Sequence, residues 1–253
     1  MNLNKIIRKT IGKNATIMNK VISLKGGVTG KLPDVIIPGV PKCGTTTLYD
    51  YLITHPSIQS SLTKEVFYFD RHFNEPLSWY TGYWNKMKDG ITIDATPTYM
   101  DSEVYIKRMC ETVPNAKYIV ILRDPIKRLI SNYNQVRIRH WAESETKAFS
   151  TELVHQTMYC DRLNELFKYV KKENVHIMFF EEMVKDHQTE LNKVFDFLGI
   201  QHVKIDVKHS NKSTMKYYIS PFRLDKLKTL FVKEDQKLSK LLGRELPWTQ
   251  HNE

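Results

Sequence analysis

A lysine set inside a glycine-framed turn carries the most chemical meaning in this chain. Ile36-Ile37-Pro38-Gly39-Val40-Pro41-Lys42-Cys43-Gly44-Thr45-Thr46-Thr47-Leu48 passes from an apolar run through a turn into a helical pattern that Tyr51 and Leu52 continue. In such a strand–loop–helix setting, backbone N–H groups and the positive end of the helix converge on an anion. Gly39 and Gly44 have the separation of a Walker A loop. Thr45 and Thr46, however, stand where Lys-Ser/Thr belongs, and the lysine lies within the loop, at Lys42. A relocated lysine points to a donor other than Mg-ATP.

A second segment reinforces the first. Tyr118-Ile119-Val120-Ile121-Leu122 reads as a buried strand ended by Arg123-Asp124-Pro125. Asp124 has the character of a helix N-cap and Pro125 of a first-turn proline. The helix then runs through Ile126, Leu129, Ile130 and Tyr133. Arg123 thus falls at the carboxyl end of a strand, where open α/β sheets bind ligands. Ser131 follows about two turns into the helix. An arginine fork and a serine hydroxyl can together hold a phosphate. Taken alone, each has a plainer reading, Arg123 as a helix-start salt bridge and Ser131 as an ordinary helix serine.

Together the two segments resemble the sulfotransferases that use 3′-phosphoadenosine 5′-phosphosulfate (PAPS). PKCGTTTL is similar to that family's 5′-phosphosulfate loop, and RDPIKRLIS to its 3′-phosphate segment, Arg-to-Ser spacing included. Lys64-Glu65-Val66-Phe67-Tyr68-Phe69-Asp70 resembles the Glu-containing segment of the glycan enzymes of the heparan sulfate 3-O- and N-type. Ile93-Asp94-Ala95-Thr96-Pro97-Thr98-Tyr99 resembles their acidic-x-Thr-Pro-x-Tyr segment. The resemblance runs from about Asp34 to Leu198. It implies that Lys42, with the groups of Cys43, Gly44, Thr45, Thr46 and Thr47, holds the phosphosulfate. Arg123 and Ser131 would then read the 3′-phosphate, and Glu65 would take the acceptor's proton. Without the resemblance, Glu65 reads as a surface carboxylate paired with Lys64. Asp94 would contact the acceptor or orient a neighbour, with a structural cap role as the alternative. His209-Ser210-Asn211-Lys212-Ser213 and Lys216 resemble the relatives' Asn-Lys segment, near which a basic loop closes over the nucleotide; their Lys-Gly-Arg loop is not recognisable here. The pattern also departs at Phe67, where the 3-O-type enzymes place His after Glu-Val, and at Ala95, where they have Lys.

The remaining sequence must position these groups. Strands are predicted at 35–37, 91–93, 118–122 and 175–180, and helices at 45–54, 103–112, 125–138, 149–170 and 187–198. Gly199 stops the last of these helices. A further helix runs from Ser220-Pro221 through Phe222, Leu224, Leu227, Leu230 and Phe231 to Gly243. This alternation predicts an α/β fold, a P-loop-like, mainly parallel sheet with helices on both faces, in one domain over 31–253. The stretch 74–90, with Trp79, Tyr80, Tyr83 and Trp84, reads as a loop that either stacks on sugar rings or covers the core. The stretch 139–146 reads as a polar acceptor-side loop.

Composition bounds the partners. The chain has 253 residues, 41% hydrophobic and 26% charged, with a formal net charge of +10. That surplus favours an anionic partner or serves solubility alone. Cys43, Cys110 and Cys160 are too few and too widely spaced for a disulfide framework or a zinc site, and suit a reducing compartment. No run is apolar and long enough to span a bilayer, and the start lacks the apolar core and cleavage site of a signal peptide. A cytoplasmic location is therefore expected. Residues 1–30 form a basic arm with Lys5, Arg8, Lys9, Lys13, Lys20 and Lys25, no acidic residue, and Leu3, Ile6, Ile7 and Ile11 at helical spacing. The arm either packs on the domain or frays in solvent as a helix, or touches an anionic membrane peripherally.

The expected reaction is metal-independent sulfuryl transfer to a carbohydrate hydroxyl, on a glycan that is anionic or lipid-linked and other than heparan sulfate. A small-molecule or lipid hydroxyl is the alternative acceptor. A P-loop kinase would need Lys after the second loop glycine, where Thr45 stands. A nucleic-acid or polyanion-binding module would need no organised nucleotide loop, so nucleic acid is not an expected partner. A catalytically dead relative is disfavoured by the joint presence of Lys42, Glu65, Arg123 and Ser131.

Overall fold

The central strands arise from apolar runs with no polar alternation, the pattern of strands buried on both faces. The computed structural model describes residues 30–84, 90–138, 154–206 and 219–248. Its strands are β1 (Val35–Gly39), β2 (Ile58–Ser60), β3 (Ile91–Asp94), β4 (Lys117–Leu122) and β5 (Val175–Phe179). They form one sheet in the order β2-β3-β1-β4-β5. Every pairing is parallel, with Val35 opposite Ile93 on one side and Lys117 on the other. Consecutive residues of a strand face opposite sides. Val35, Ile36 and Ile37 are nevertheless all buried, as are Tyr118 to Leu122, so both faces of the sheet centre are covered.

The covering helices are α1 (Thr45–Leu52), α2 (Tyr68–Arg71), α3 (Leu77–Thr81), α4 (Glu103–Thr112), α5 (Pro125–Ile138), α6 (Tyr159–Phe167), α7 (Phe180–Lys185), α8 (His187–Leu198) and α9 (Pro221–Leu242). Their ends follow local chemistry. Asp124 Oδ1 accepts from the N–H groups of Ile126 (2.9 Å) and Lys127 (3.1 Å), capping α5. Asp186 caps α8 through Thr189 N–H at 3.1 Å. Gly199 (φ 75°) and Gly243 (φ 65°) end α8 and α9 in the left-handed conformation that glycine adopts without strain.

Three expectations need correction. β2 and the short α7 lie outside the predicted elements: Ile58–Ser60 is too brief and too polar to register as a strand, and Phe180 begins a helix rather than ending β5. In the described part of the predicted helix over 149–170, Val154 and His155 are helical, Gln156 and Thr157 form a turn, and α6 starts at Tyr159. The interruption turns Gln156 and Thr157 towards Arg128, which takes both side chains as acceptors at 3.1 and 2.7 Å. The segment 74–84 is largely helical, and Trp79, Tyr80, Tyr83 and Trp84 are buried. Tyr80 stacks on Tyr68 with centroids 4.5 Å apart, and meets Trp84 edge-on at 5.1 Å. These rings cover the core, and the sugar-stacking alternative falls with that.

The topology locates the crevice. The chain leaves β1 towards β2 on one side and leaves β4 towards β5 on the other. Connections that diverge in this way open a binding crevice outside the carboxyl ends of the strands. Here those ends are Gly39 and Leu122. Among the described residues, no helix is long and apolar enough to cross a membrane. The N-terminal arm, the stretch 139–146 and Lys212 and Lys216 lie outside the described residues.

The C-terminal stretch is tied down by Trp248, which packs edge-on against Phe179 with centroids 5.3 Å apart and donates its indole N–H to Asp235 Oδ2 at 3.0 Å. Burial raises the Asp235 carboxyl to about 7. A carboxyl that holds its proton more tightly folded than unfolded loses stability for the fold as pH rises from the ordinary carboxylate range through 7. Asp235→Asn keeps an acceptor for Trp248 and removes the charge. Urea denaturation should find this variant more stable than the parent by roughly 2 kcal/mol at pH 8, the advantage fading as pH falls towards 4.

Candidate functional site

The loop leaves β1 under close restraint. Val40 N–H donates to the Ile121 carbonyl of β4 at 3.1 Å, and Cys43 N–H returns to the Val40 carbonyl at 3.2 Å. Lys42 (φ 70°) and Gly44 (φ 96°) are both left-handed. Successive turns of this kind aim backbone N–H groups into a shared concavity. Gly44 occupies the N-cap position of α1, no side chain caps that end, and no acidic residue stands in its first turn. A helix end without a side-chain cap offers its first-turn N–H groups to an approaching anion. Thr45 is buried, Thr46 exposed and Thr47 half-buried. The expectation that Cys43 N–H joins the anion-binding set meets a competing partner in Val40. The Cys43 side chain is fully buried, and burial raises its thiol to about 11, so it fills space in the loop and is not a nucleophile.

Arg123 and Lys42 meet. Arg123 extends from the end of β4, and its Nη1 donates to the Lys42 carbonyl at 3.1 Å. Its guanidinium lies 4.6 Å from the centroid of the Phe180 ring, a cation–π stack. Its Nε is buried and has no hydrogen-bond partner. Tyr159 donates its hydroxyl to the Arg123 carbonyl at 2.8 Å and lies 3.6 Å from Cys43 Sγ. Asp124 N–H donates to Glu181 Oε1 at 3.2 Å, so the first turn of α7 braces the start of α5. Ser131 lies in α5, half-buried.

One residue of this assembly was not singled out from sequence. Arg128 is completely buried, and its Nε donates to the Pro41 carbonyl at 3.0 Å while Nη1 and Nη2 hold Thr157 and Gln156. The available signal was its place one residue before Leu129, on the apolar face of α5. An arginine there must find acceptors inside the protein.

A second set of groups lies across β3. Glu65 is 36% exposed, and Lys64 Nζ donates to its Oε1 at 2.9 Å. Asp94, at the end of β3, is completely buried. Its Oδ1 accepts from the Thr96 hydroxyl at 2.7 Å, and its Oδ2 from the hydroxyls of Tyr80 (2.8 Å) and Tyr99 (3.0 Å). Burial raises the Asp94 carboxyl to about 6, against the pull of those hydroxyl donors. Thr96 Oγ1 in turn accepts from Val66 N–H at 3.0 Å, and the Tyr99 hydroxyl from Tyr68 N–H at 2.9 Å. Asp94 therefore lies beneath the Glu65 turn and not on the surface. The 3-10 turn Pro97–Met100 links the two sets, since a Cβ on Gly39 would stand 3.2 Å from the Pro97 carbonyl oxygen.

A family model for the sulfotransferase domain matches residues 32–242. The chain belongs to the sulfotransferase domain family. Heparan sulfate glucosamine 3-O-sulfotransferase 6 of Mus musculus is 31% identical over 190 residues, which are 70% of this chain and 55% of that protein. Heparan sulfate glucosamine 3-O-sulfotransferase 3B1 of Homo sapiens is 30% identical over 194 residues, 72% of this chain and 50% of that protein. The chain thus spans about half the length of the curated relatives it matches. Among solved structures, a sulfotransferase from Alicyclobacillus acidocaldarius shares the fold with a TM-score of 0.71 at 21% identity, over 85% of this chain and 98% of that one.

The sulfotransferase loop depends on the absence of a side chain at Gly44. A Cβ there would stand 2.4 Å from Phe180 Cδ2, and φ is 96°. Gly44→Ala should destabilise the protein by about 2 kcal/mol or more, since left-handed strain and displacement of Phe180 add. Chemical denaturation measures the loss, and the Phe180 platform under Arg123 should be disturbed with it.

Proposed function

We propose that this sulfotransferase moves a sulfuryl group from PAPS to a carbohydrate hydroxyl without a metal ion. The hydrogen bond from Arg123 to the Lys42 carbonyl carries the reading. It joins the two segments that resemble the family's 5′-phosphosulfate and 3′-phosphate sites into one cationic edge at the crevice. The residues fit such a donor: α1 presents an uncapped N-terminus, and the buried Arg123 Nε lacks a partner. Lys42, the first-turn N–H groups and the hydroxyls of Thr45, Thr46 and Thr47 would hold the 5′-phosphosulfate. Arg123 and Ser131 would hold the 3′-phosphate, and Lys212 and Lys216 would close over the nucleotide.

Glu65 is proposed as the base. It would accept the acceptor hydroxyl's proton as that oxygen bonds to sulfur, while the bond from sulfur to the bridging oxygen breaks. Lys42 would stabilise the charge gathering on that oxygen and on the departing 3′-phosphoadenosine 5′-phosphate. In the free protein Glu65 is paired with Lys64, a contact at the surface that an arriving acceptor could replace. The carbohydrate acceptor rests on the relatives, which are named for heparan sulfate glucosamine, and on the Lys64–Asp70 and Asp94–Tyr99 segments. With Phe67 and Ala95 in place of the relatives' polar residues, the acceptor is a glycan other than heparan sulfate, and the net charge of +10 suits an anionic or lipid-linked chain. A cytoplasmic site of action, with the basic arm of 1–30 touching the membrane, completes the proposal.

Arg123→Ala should weaken 3′-phosphoadenosine 5′-phosphate by roughly tenfold or more, the scale of a lost charge-assisted contact, and leave AMP little changed. Titration calorimetry with both nucleotides checks this, and equal losses would make Arg123 structural. For the reaction itself, sulfur-35-labelled PAPS is offered to heparan sulfate, chondroitin, neutral polysaccharides, glycolipids and a phenol, with and without EDTA. Label should enter a carbohydrate other than heparan sulfate and survive EDTA. Label on the phenol alone would overturn the acceptor, and activity lost to EDTA and restored by magnesium would overturn the metal-free reading.

A further inference from the structure

We infer that Asp94 is a positioning residue that sets the direction of a hydrogen-bond relay, through Thr96 and Tyr99, holding the Glu65 turn in place. The inference rests on the reading of Glu65 as the base. A carboxylate can only accept. The protons of Thr96 Oγ1 and Tyr99 OH, at 2.7 and 3.0 Å, must therefore point at Asp94. Each hydroxyl has its lone pairs turned the other way, and there the chain supplies Val66 N–H at 3.0 Å and Tyr68 N–H at 2.9 Å. Phe67 N–H approaches the same Thr96 oxygen at 3.4 Å.

The segment held in this way needs holding. Glu65 immediately precedes Val66, and Phe67 is left-handed at φ 56°, a conformation that a bulky residue adopts only when its surroundings impose it. Beyond it, Asp70 Oδ2 accepts from the Thr98 hydroxyl at 2.7 Å, so the turn is fastened to the same Thr96–Tyr99 stretch at its far end. Tyr80 completes the ring by donating to Asp94 Oδ2 and stacking on Tyr68. The Glu65 side chain enters none of these bonds. Asp94 thus fixes the backbone that carries Glu65 while leaving its carboxylate free to approach an acceptor.

The test is a cycle of Thr96→Val and Glu65→Gln, with Thr96→Ser as the variant that keeps the hydroxyl. Transfer of sulfur-35 label is followed with whichever panel acceptor takes it, and release of labelled sulfate to water carries the same comparison where none does. Every assay is run well below the melting temperature of each variant. Glu65→Gln should lower turnover roughly a hundredfold, the scale of a lost general base. Thr96→Val should lower kcat about tenfold or more while the affinity for 3′-phosphoadenosine 5′-phosphate stays within about twofold, and Thr96→Ser should recover most of the loss. In the Glu65→Gln background, Thr96→Val should cost little more, because the group it positions is already disabled. Full additivity of the two losses, or unchanged kcat in Thr96→Val, would overturn the relay with Glu65 still the base. Near-normal turnover of Glu65→Gln would overturn the base instead, and is read before the cycle is closed.

Discussion

Two guanidinium groups reaching back to consecutive carbonyls hold the loop on which the site depends. Arg123 takes the Lys42 carbonyl and Arg128 the Pro41 carbonyl, at 3.1 and 3.0 Å. A loop meant to bind an anion through its N–H groups must turn its carbonyls away, and carbonyls turned inward need donors there. Arginine suits this task because its planar fork serves several acceptors from one position and keeps its charge when buried. The same arrangement brings two positive charges to the loop, beside the N-terminus of α1. Phe180 ties the parts together, since one ring lies under Arg123 and against Gly44. Three strand ends, those of β1, β4 and β5, thereby converge on a single short turn.

The Glu65 turn follows a different principle. The loop is fastened by cations to carbonyls, whereas the Glu65 turn is fastened by the hydroxyls of Thr96 and Tyr99 to N–H groups, with one buried carboxylate setting the sense of those bonds. Such a network has strict direction, because reversing the Thr96 or the Tyr99 hydroxyl would leave a buried N–H without an acceptor. It also leaves the surface group unconstrained. Glu65 remains 36% exposed and its carboxylate engages Lys64, so it can change partner without disturbing the core. Rigidity therefore lies in the backbone beneath Glu65, and freedom in its side chain.

Much of this was legible in the sequence where a residue type has few alternatives. The apolar runs of β1 and β4 admitted no amphipathic reading, and Asp124-Pro125 marked the start of α5 where its cap hydrogen bonds are found. Arg123 could be placed beside the loop because a residue just past a central strand must emerge at the crevice. What stayed hidden were effects of partners distant in sequence. Nothing local to Gln156 and Thr157 signals that Arg128 will claim both and break the helix around them. Asp94 was visible as an acidic residue, but its burial depends on Tyr80 and Tyr99 arriving from separate elements. The aromatic stretch Trp79–Trp84 carried two readings because ring content alone does not tell a cover from a cleft.

The two departures from the heparan-type pattern acquire a physical meaning in the fold. Ala95 follows the end of β3 directly, between Asp94 and Thr96, and is completely buried. Phe67 is half-buried beneath the guanidinium of Arg71, 3.9 Å from the ring centroid, where the relatives' histidine would present a ring nitrogen. Both positions lack the polar groups of the heparan-type pattern, while the loop, Arg123 and Arg128 keep their bonds. The loop and the Glu65 turn are held by separate sets of bonds, with the β1–β3 pairing and the turn at Pro97–Met100 between them, so the one can change while the other is kept. The buried Ala95 and the covered Phe67 are what such a change looks like at the level of single side chains.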